Sequence, residues 1–200
     1  RVEFPTRRGT LLALDDISFS IAPGEILGVV GESGAGKSLT GAAIIGLLDP
    51  PGRIAAGEIK LAGRRIDNLP YEQMRRIRGK EIGAVFQDPL TSLNPLYTVG
   101  RQLVETITTH LDLTAAQARA RAIELLASTG IPAPEARVDH FPHQFSGGMR
   151  QRVVIALALA ANPRLIVADE PTTALDVTIQ AQIIALLKKV CREQGAAVML

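Results

Sequence analysis

The chain has 200 residues, of which 46% are hydrophobic and 21% are charged, and 22 Lys and Arg against 20 Asp and Glu leave a net charge of +2. This composition is typical of one globular domain with a sizeable core and excludes a disordered chain. The small charge excess predicts neither a nucleic-acid nor a membrane partner, and the single cysteine, Cys191, excludes an internal disulfide. The longest apolar run, 153–161, is far short of the roughly 20 residues that span a bilayer, so we expect a soluble protein.

Apolar periodicity predicts strands that alternate with helices along the chain. The predicted strands cover 14–21, 26–30, 58–61, 82–86, 165–168 and 196–200, and the predicted helices cover 39–48, 115–128, 147–161 and 176–193. This alternation indicates a parallel α/β sheet. Between 88 and 145 the pattern predicts a helical insertion, in which Thr114 and Gln117 form a capping box and Gly130 ends the helix. We expect the domain to be truncated at both ends and its final strand to lie at an exposed edge of the sheet.

A glycine-rich segment lies between the apolar strand 26–30 and the helix that follows, and it matches the phosphate-binding loop pattern. Backbone N–H groups and the helix N-terminus would bind phosphates, Lys37 would reach the β and γ oxygens, and Ser38 would ligate Mg²⁺. The alternative is an ordinary glycine turn before a helix. Leu39 stands where a dinucleotide-binding fold would need glycine. The predicted ATP-binding residues here are Gly31, Glu32, Ser33, Gly34, Ala35, Gly36, Lys37, Ser38 and Leu39.

Two acids, Asp169 and Glu170, follow the apolar strand 165–168. Ligands bind at the carboxyl ends of strands in open α/β sheets. Asp169 would hold Mg²⁺ through water, and Glu170 would orient or deprotonate the attacking water. A strand that ends in two acids can also be structural, but its pairing with the glycine-rich loop favours catalysis.

A serine before two glycines, at 146–148, predicts a helix N-cap that an anion could approach closely, with an ordinary cap as the alternative. With this segment the motif set is complete. It consists of the loop at 31–38, Gln87 after a strand, the segment 146–151, the acids at 169 and 170, and Ala174-Leu175-Asp176. In this order the motifs resemble the ATP-binding subunit of ABC transporters over nearly the whole chain.

The resemblance implies a P-loop NTPase (RecA-like) α/β core over 1–88 and 161–200, with an N-terminal antiparallel β layer and an α-helical subdomain inserted at about 89–160. It implies that Gln87 is catalytic and senses Mg²⁺ and the attacking water. It also implies that Phe4 stacks on adenine, although simple packing is the alternative. A histidine that contacts the γ-phosphate would fall just after Leu200.

The same resemblance assigns a segment that contacts ATP held by a second subunit. The residues it assigns to that ATP are Ser146, Gly147, Gly148 and Gln151. Those it assigns to the dimer interface are Ser146, Gly148 and Asp176.

The implied function is MgATP hydrolysis that drives import, on the cytoplasmic face of the inner membrane. Segments 86–95 and 141–146 resemble the dipeptide and oligopeptide importer branch. Implied partners are a second ATP-binding subunit, permease subunits that contact the helical subdomain, and indirectly an extracytoplasmic binding protein, with no nucleic acid. The alternatives are a soluble ABC-type ATPase that acts on nucleic acid or ribosomes, and an importer of a non-peptide solute. A basic run at 75–80 is interpreted as a solvated helix face, since no aromatic residues interleave with it.

Overall fold

The computed structural model describes residues 1–172 and 176–200. Its strands are β1 (Val2–Thr6), β2 (Gly9–Leu14), β3 (Ile26–Leu27), β4 (Arg53–Ile54), β5 (Lys60–Leu61), β6 (Arg64–Arg65), β7 (Ile82–Val85), β8 (Leu165–Ala168) and β9 (Ala197–Met199). Its α-helices are α1 (Lys37–Ile44), α2 (Tyr71–Ile77), α3 (Pro89–Ser92), α4 (Val99–His110), α5 (Ala115–Ser128), α6 (Pro134–Arg137), α7 (Gly147–Ala158) and α8 (Val177–Gln194). A short 3-10 helix covers Pro142–Gln144.

The strands form a parallel core sheet and a separate antiparallel layer. The core sheet has the order β3-β9-β8-β7, and its neighbouring strands are parallel. The antiparallel layer has the order β2-β1-β4, and β5 pairs with β6 as a small hairpin. The prediction of a parallel core with an N-terminal antiparallel layer is therefore confirmed.

The prediction that the final strand lies at an exposed edge is wrong. In the described part of the chain β9 lies between β3 and β8, with Val198 paired to Ile26 on one side and to Ile166 on the other. Its three residues are buried. A continuous apolar run without alternation is typical of such a doubly covered inner strand. The edge prediction rested on position in the sequence, which does not determine the order of strands in a sheet.

The N-terminal third differs most from the predicted elements. The expected strand over 14–21 is absent from the described structure beyond Leu14, and Ile17 and Phe19 are exposed. The assigned part of β3 is shorter than 26–30, and Val30 is 94% exposed. In the described residues β3 lies at one edge of the sheet, although Ile26 and Val29 still pack against apolar clusters. Helix α1 ends at Ile44, because Gly46 turns the chain with φ +66°.

Helices α3 to α7 lie between β7 and β8 in the sequence. The capping box of Thr114 and Gln117 is confirmed at the start of α5, and Gly130, with φ +78°, follows its end. One apolar cluster joins α4, α5 and α7 to the core sheet, and it includes Leu103, Ile155 and Ile166. At β7 a Cβ on Gly83 would lie 2.3 Å from the carbonyl oxygen of Ala158, so only glycine allows α7 to pack this closely. The insertion therefore packs closely against the sheet.

Across residues 1–172 and 176–200, none of the helices has the length and apolar character needed to cross a membrane.

Candidate nucleotide-binding site

The loop between β3 and α1 has the backbone shape that a phosphate cradle requires. Gly34 and Gly36 adopt φ +84° and +88°, which side-chain-bearing residues rarely do. A Cβ on Gly36 would also lie 2.4 Å from Cδ2 of Leu14. Gly36 is the N-cap of α1 and has no side chain to accept from the first-turn N–H groups. These groups remain available to an anion at the positive end of the helix.

Lys37, at the start of α1, folds back across the loop. Its Nζ donates to the carbonyl oxygens of Gly31 at 2.9 Å and Glu32 at 3.0 Å. The same Nζ lies 3.9 Å from Oε1 of Glu170. The ammonium group therefore lies between the glycine-rich loop and the acid at the end of β8.

Ser38 and Asp169 meet although 131 residues separate them in the chain. The hydroxyl of Ser38 donates to Oδ1 of Asp169 at 2.9 Å. The first helical turn of α1 and the carboxyl end of β8 bring them together. A hydroxyl and a carboxylate oxygen at one point are hard oxygen ligands, the type that Mg²⁺ prefers, so this pair fits the predicted metal.

Gln87 follows β7 and lies beside Glu170, which follows the neighbouring strand β8. Its Nε2 donates to Oε2 of Glu170 at 3.0 Å. Glu170 has φ +45°, a conformation uncommon for a residue with a side chain. Its side chain is 40% exposed, so water can reach the carboxylate.

A cleft of about 240 Å³ opens beside these groups. Lys37, Asp169 and Glu170 contribute its charged wall, and Val30 and Met199 belong to its apolar wall. The structure thus brings the predicted loop, metal-binding and catalytic residues together at the carboxyl ends of the parallel strands. Ligands bind at these ends in open α/β folds.

The predicted serine-glycine segment forms the N-terminus of α7. The hydroxyl of Ser146 accepts from the N–H of Met149 at 3.3 Å, as an N-cap does. A Cβ on Gly148 would lie 2.9 Å from Cγ2 of Ile179 in α8. Close packing of α7 against α8 therefore explains why a glycine stands at position 148, in addition to the predicted approach of an anion.

Gln151 does not fit its predicted role in ATP binding. Its side chain is 1% exposed, and among the described residues its Nε2 has no hydrogen-bond partner. Its position in the helical pattern places it on the inner face of α7, so a bound nucleotide cannot touch it in this structure. The sequence prediction treated the whole segment 146–151 as one exposed motif, whereas only its first turn is accessible.

Two other predicted positions can be placed. Asp176 is exposed at the N-cap of α8, and its carbonyl oxygen accepts from the N–H of Gln180 at 2.9 Å. The rest of its motif, Ala174 and Leu175, lies outside the described residues. Phe4 is half-buried on β1, where a Cβ on Gly52 would lie 2.5 Å from its ring. This corresponds to the packing alternative, and adenine stacking stays a prediction.

One group near the site was missed by the sequence analysis. The side chain of Gln102 in α4 accepts from the N–H of Asn94 at 2.9 Å and donates to the carbonyl oxygens of Asn94 at 2.9 Å and Tyr97 at 3.0 Å. These bonds fix the loop that follows Gln87 and α3. A single glutamine in a helix carries no sequence signal for this role, because its partners are backbone atoms.

Comparison with known proteins identifies the family. The profile of the ABC transporter family matches residues 14–173, and the chain belongs to this family. Two relatives are the oligopeptide transport ATP-binding protein OppD of Bacillus subtilis, 54% identical over 94% of this chain and 52% of its own length, and the dipeptide transport ATP-binding protein DppD of Escherichia coli, 49% identical over 100% of this chain and 61% of its own length. The chain therefore spans between half and two thirds of these relatives.

Solved structures agree with this assignment. The dimeric ATP-binding cassette MJ0796, in a post-hydrolysis state bound to ADP and Pi, superposes with a TM-score of 0.84 at 32% identity. The alignment covers 100% of this chain and 86% of that one. The cassette cbiO1 of Clostridium perfringens, part of the transporter complex cbiONQ, gives a TM-score of 0.81 at 30% identity and covers 99% and 74% of the two chains. The predicted P-loop fold and ABC membership are confirmed.

Proposed function

We propose that this chain binds and hydrolyses MgATP as the ATP-binding part of an importer of dipeptides or oligopeptides. The observation that carries the proposal is the convergence of five side chains at the carboxyl ends of the parallel strands. They are Lys37, Ser38, Gln87, Asp169 and Glu170. The peptide as cargo is supported by the names of the relatives described above.

The loop at 31–38 would bind the phosphates. Its residues from 31 to 35 are exposed, and their backbone surrounds the N-terminus of α1. Lys37 now donates to two carbonyl oxygens of its own loop, and phosphate oxygens would replace these acceptors with charged ones. The ammonium and the phosphate oxygens carry opposite charges, so the exchange adds ion pairing to the hydrogen bonds and favours triphosphate binding.

Ser38 and Asp169 would hold Mg²⁺, with Asp169 acting through water. Bound between them, the ion would offset negative charge on the β and γ phosphates. The hydrogen bond between Ser38 and Asp169 already places the two oxygens close together. Entry of the ion with its water would replace this hydrogen bond, so the two side chains would move apart to admit it.

Glu170 and Gln87 would act on the attacking water. The water oxygen bonds to the γ-phosphorus, the bond to the bridging oxygen of ADP breaks, and Glu170 takes the proton that the water releases. The amide of Gln87 orients the carboxylate by the 3.0 Å hydrogen bond. Both groups are exposed, so they can meet a water on the phosphate.

A second ATP-binding subunit would complete the site. The exposed N-terminus of α7, with Ser146 and Gly148, would contact the γ-phosphate held by that subunit, and Asp176 would lie in the interface. The solved MJ0796 cassette is described as a dimer, which supports this arrangement. In this proposal residues of about 89–160 act as the helical subdomain.

Permease subunits would contact that subdomain at an exposed apolar surface beside Gln87. It consists of Phe86, Leu90 and Leu96, the last with 78% exposure. Contact there would link nucleotide state to the permease, because Gln87 lies next to it in the chain. The chain would thus be peripheral on the cytoplasmic face of the inner membrane, with an extracytoplasmic binding protein as an indirect partner and no nucleic acid.

Reconstitution into vesicles with the permease subunits tests the proposal. We expect ATP hydrolysis that rises when a dipeptide or oligopeptide is offered with its binding protein, and labelled peptide accumulating in the direction of import. Glu170→Gln should abolish both, while Glu124→Gln, a matched change at an exposed acid of α5, should change neither. ATP hydrolysis that is coupled only to a non-peptide solute would reject the peptide assignment and retain the ATPase.

A further inference from the structure

A second cleft, of about 660 Å³, opens at the end of the parallel sheet where strands β7 and β8 begin. Its walls come from three separate parts of the chain: the β5–β6 hairpin, helix α2 with the turn after it, and the turn between α7 and β8. Four basic side chains line it, namely Arg64, Arg76, Lys80 and Arg164. Glu81 is the one acid among the described lining residues.

This cleft is separate from the candidate ATP site. Glu81 directly precedes β7, whereas Gln87 follows that strand, and Arg164 directly precedes β8, whereas Asp169 follows it. Five residues of extended chain span about 16 Å. The two clefts therefore lie at opposite ends of the strands of the same sheet.

The positive charges of the cleft have few acidic partners. Arg164 lies 3.9 Å from Glu81, at the limit of an ion pair. Across residues 1–172 and 176–200, no acid lies within ion-pair distance of Arg64, Arg76 or Lys80. Four cations thus face one carboxylate.

The neighbouring basic residues show the opposite pattern. Arg75 pairs with Glu72 at 3.4 Å, and Arg65 pairs with Asp67 at 2.9 Å. Arg78 donates to the carbonyl oxygen of Gly46 at 3.0 Å and lies over the ring of Tyr71. Arg75, Arg76 and Lys80 are exposed, as the prediction of a solvated face requires, and Arg76 and Lys80 also line the cleft.

We propose that this cleft binds a small molecule that carries two or more phosphate charges. Its volume lies within the range of small-molecule sites, about 300–1,000 Å³. Guanidinium groups match phosphate oxygens with paired hydrogen bonds, and three of the four cations are arginines. Ile77 and Ala161, both buried, belong to its lining and form an apolar floor.

Shape and composition favour this ligand over a polynucleotide. The described lining residues include no aromatic ring on which bases could stack. The four cations are exposed, and they converge from three segments on one concavity instead of lying along a flat surface.

The test measures binding of inorganic pyrophosphate by calorimetry in a Lys37→Ala background, which weakens the phosphate-binding loop. We expect one saturable site. Arg76→Gln and Arg64→Gln should each weaken binding about tenfold. Arg8→Gln removes the same charge from an exposed turn in the antiparallel layer and should change the affinity less than twofold. Circular dichroism melts confirm that the variants are folded.

Several results would overturn the proposal. One is the absence of saturable pyrophosphate binding. A second is an equal loss in Arg76→Gln and Arg8→Gln, which would show that net charge alone matters. A third is binding to vesicles that contain phosphatidylserine, or to single-stranded RNA, without binding to pyrophosphate, since the occupant would then be a membrane or a nucleic acid.

Discussion

Gln87 and Glu170 share a 3.0 Å hydrogen bond between the ends of two neighbouring strands, although 83 residues separate them in the chain. The bond joins the residue that leads into the helical insertion to the acid proposed to take the proton from water. Any shift of the loop after β7 must therefore move or break a contact of the carboxylate. This gives the proposed permease surface a direct physical connection to the hydrolytic group.

Glu170→Gln should retain ATP binding and lose hydrolysis. The amide keeps the size of the side chain and can still bond to Gln87, but it cannot accept a proton from water. Loss of a general base typically lowers the rate by about 10² to 10⁴. Phosphate release under saturating ATP measures this, with Glu124→Gln as the matched control. Normal turnover in Glu170→Gln would show that another group is the base.

Lys37→Ala should weaken ATP binding at least tenfold. The ammonium is the side-chain cation nearest the loop carbonyls, and a lost hydrogen bond to a charged partner costs about 1.5–3 kcal/mol. Titration with a fluorescent ATP analogue measures the affinity. Lys188→Ala, at an exposed position of α8, should leave it unchanged. Equal affinities in the two variants would contradict the loop assignment.

Ser146→Arg should spare ATP binding to the monomer and prevent ATP-dependent dimerisation and hydrolysis. The added bulk and charge would stand at the exposed start of α7, where the partner's γ-phosphate is proposed to lie. Ser146→Ala separates the two effects, because it removes the hydroxyl, with its proposed phosphate contact and an N-cap bond worth about 1 kcal/mol, but adds neither bulk nor charge. Light scattering with and without ATP reports the dimer. Loss of ATP binding to the Ser146→Arg monomer would place Ser146 in its own subunit's site.

Asp67→Asn should destabilise the fold in a pH-dependent way. The Asp67 side chain is 5% exposed and accepts from the N–H of Ile59 at 2.7 Å and from Arg65. Burial raises the pKa of Asp67, but the hydrogen bonds from Arg65 and the Ile59 N–H outweigh it, so the pKa in the folded state lies below its ordinary value.

Because the folded pKa is lowered, the carboxylate stabilises the protein above the unfolded pKa, about 3.9, and this contribution is lost as pH falls through the folded pKa. Urea unfolding should show a cost of about 1–3 kcal/mol for Asp67→Asn at pH 7, with a smaller difference at pH 3. Asp112→Asn, at an exposed position, should stay within about 0.5 kcal/mol of the parent. A cost that is the same at both pH values would contradict the assignment to ionised Asp67.

Gly83→Ala should destabilise the protein by about 1–3 kcal/mol, the usual cost of overpacking. The new Cβ would meet the Ala158 carbonyl at 2.3 Å and force α7 away from β7. Gly28→Ala is the matched control, because a Cβ there meets nothing within 4 Å. Thermal unfolding compares the two variants. Equal melting temperatures would show that α7 can shift without cost.

Short-range patterns in the sequence determined the phosphate-binding loop, the strand that ends in Asp169 and Glu170, and the capping box at Thr114. Each depends on residues a few positions apart, whose backbone preferences and caps act locally. The order of these motifs along the chain resembles the ATP-binding subunit of ABC transporters, and this resemblance predicted the class of the protein. The alternation at Ile17 and Phe19 led to the wrong prediction of a strand over 14–21. Alternation produces a strand only where a partner strand and a covered face exist.

Only the tertiary structure decided which distant groups meet. The order β3-β9-β8-β7 brings Ser38 to Asp169 and places β9 inside the sheet, and strand order is set by long-range packing that local propensity does not encode. Packing also buried Gln151 within a motif whose first turn stays exposed. It divided one basic run into paired residues and residues that face the second cleft, because the position of each charge depends on which acids and carbonyls the fold brings within reach.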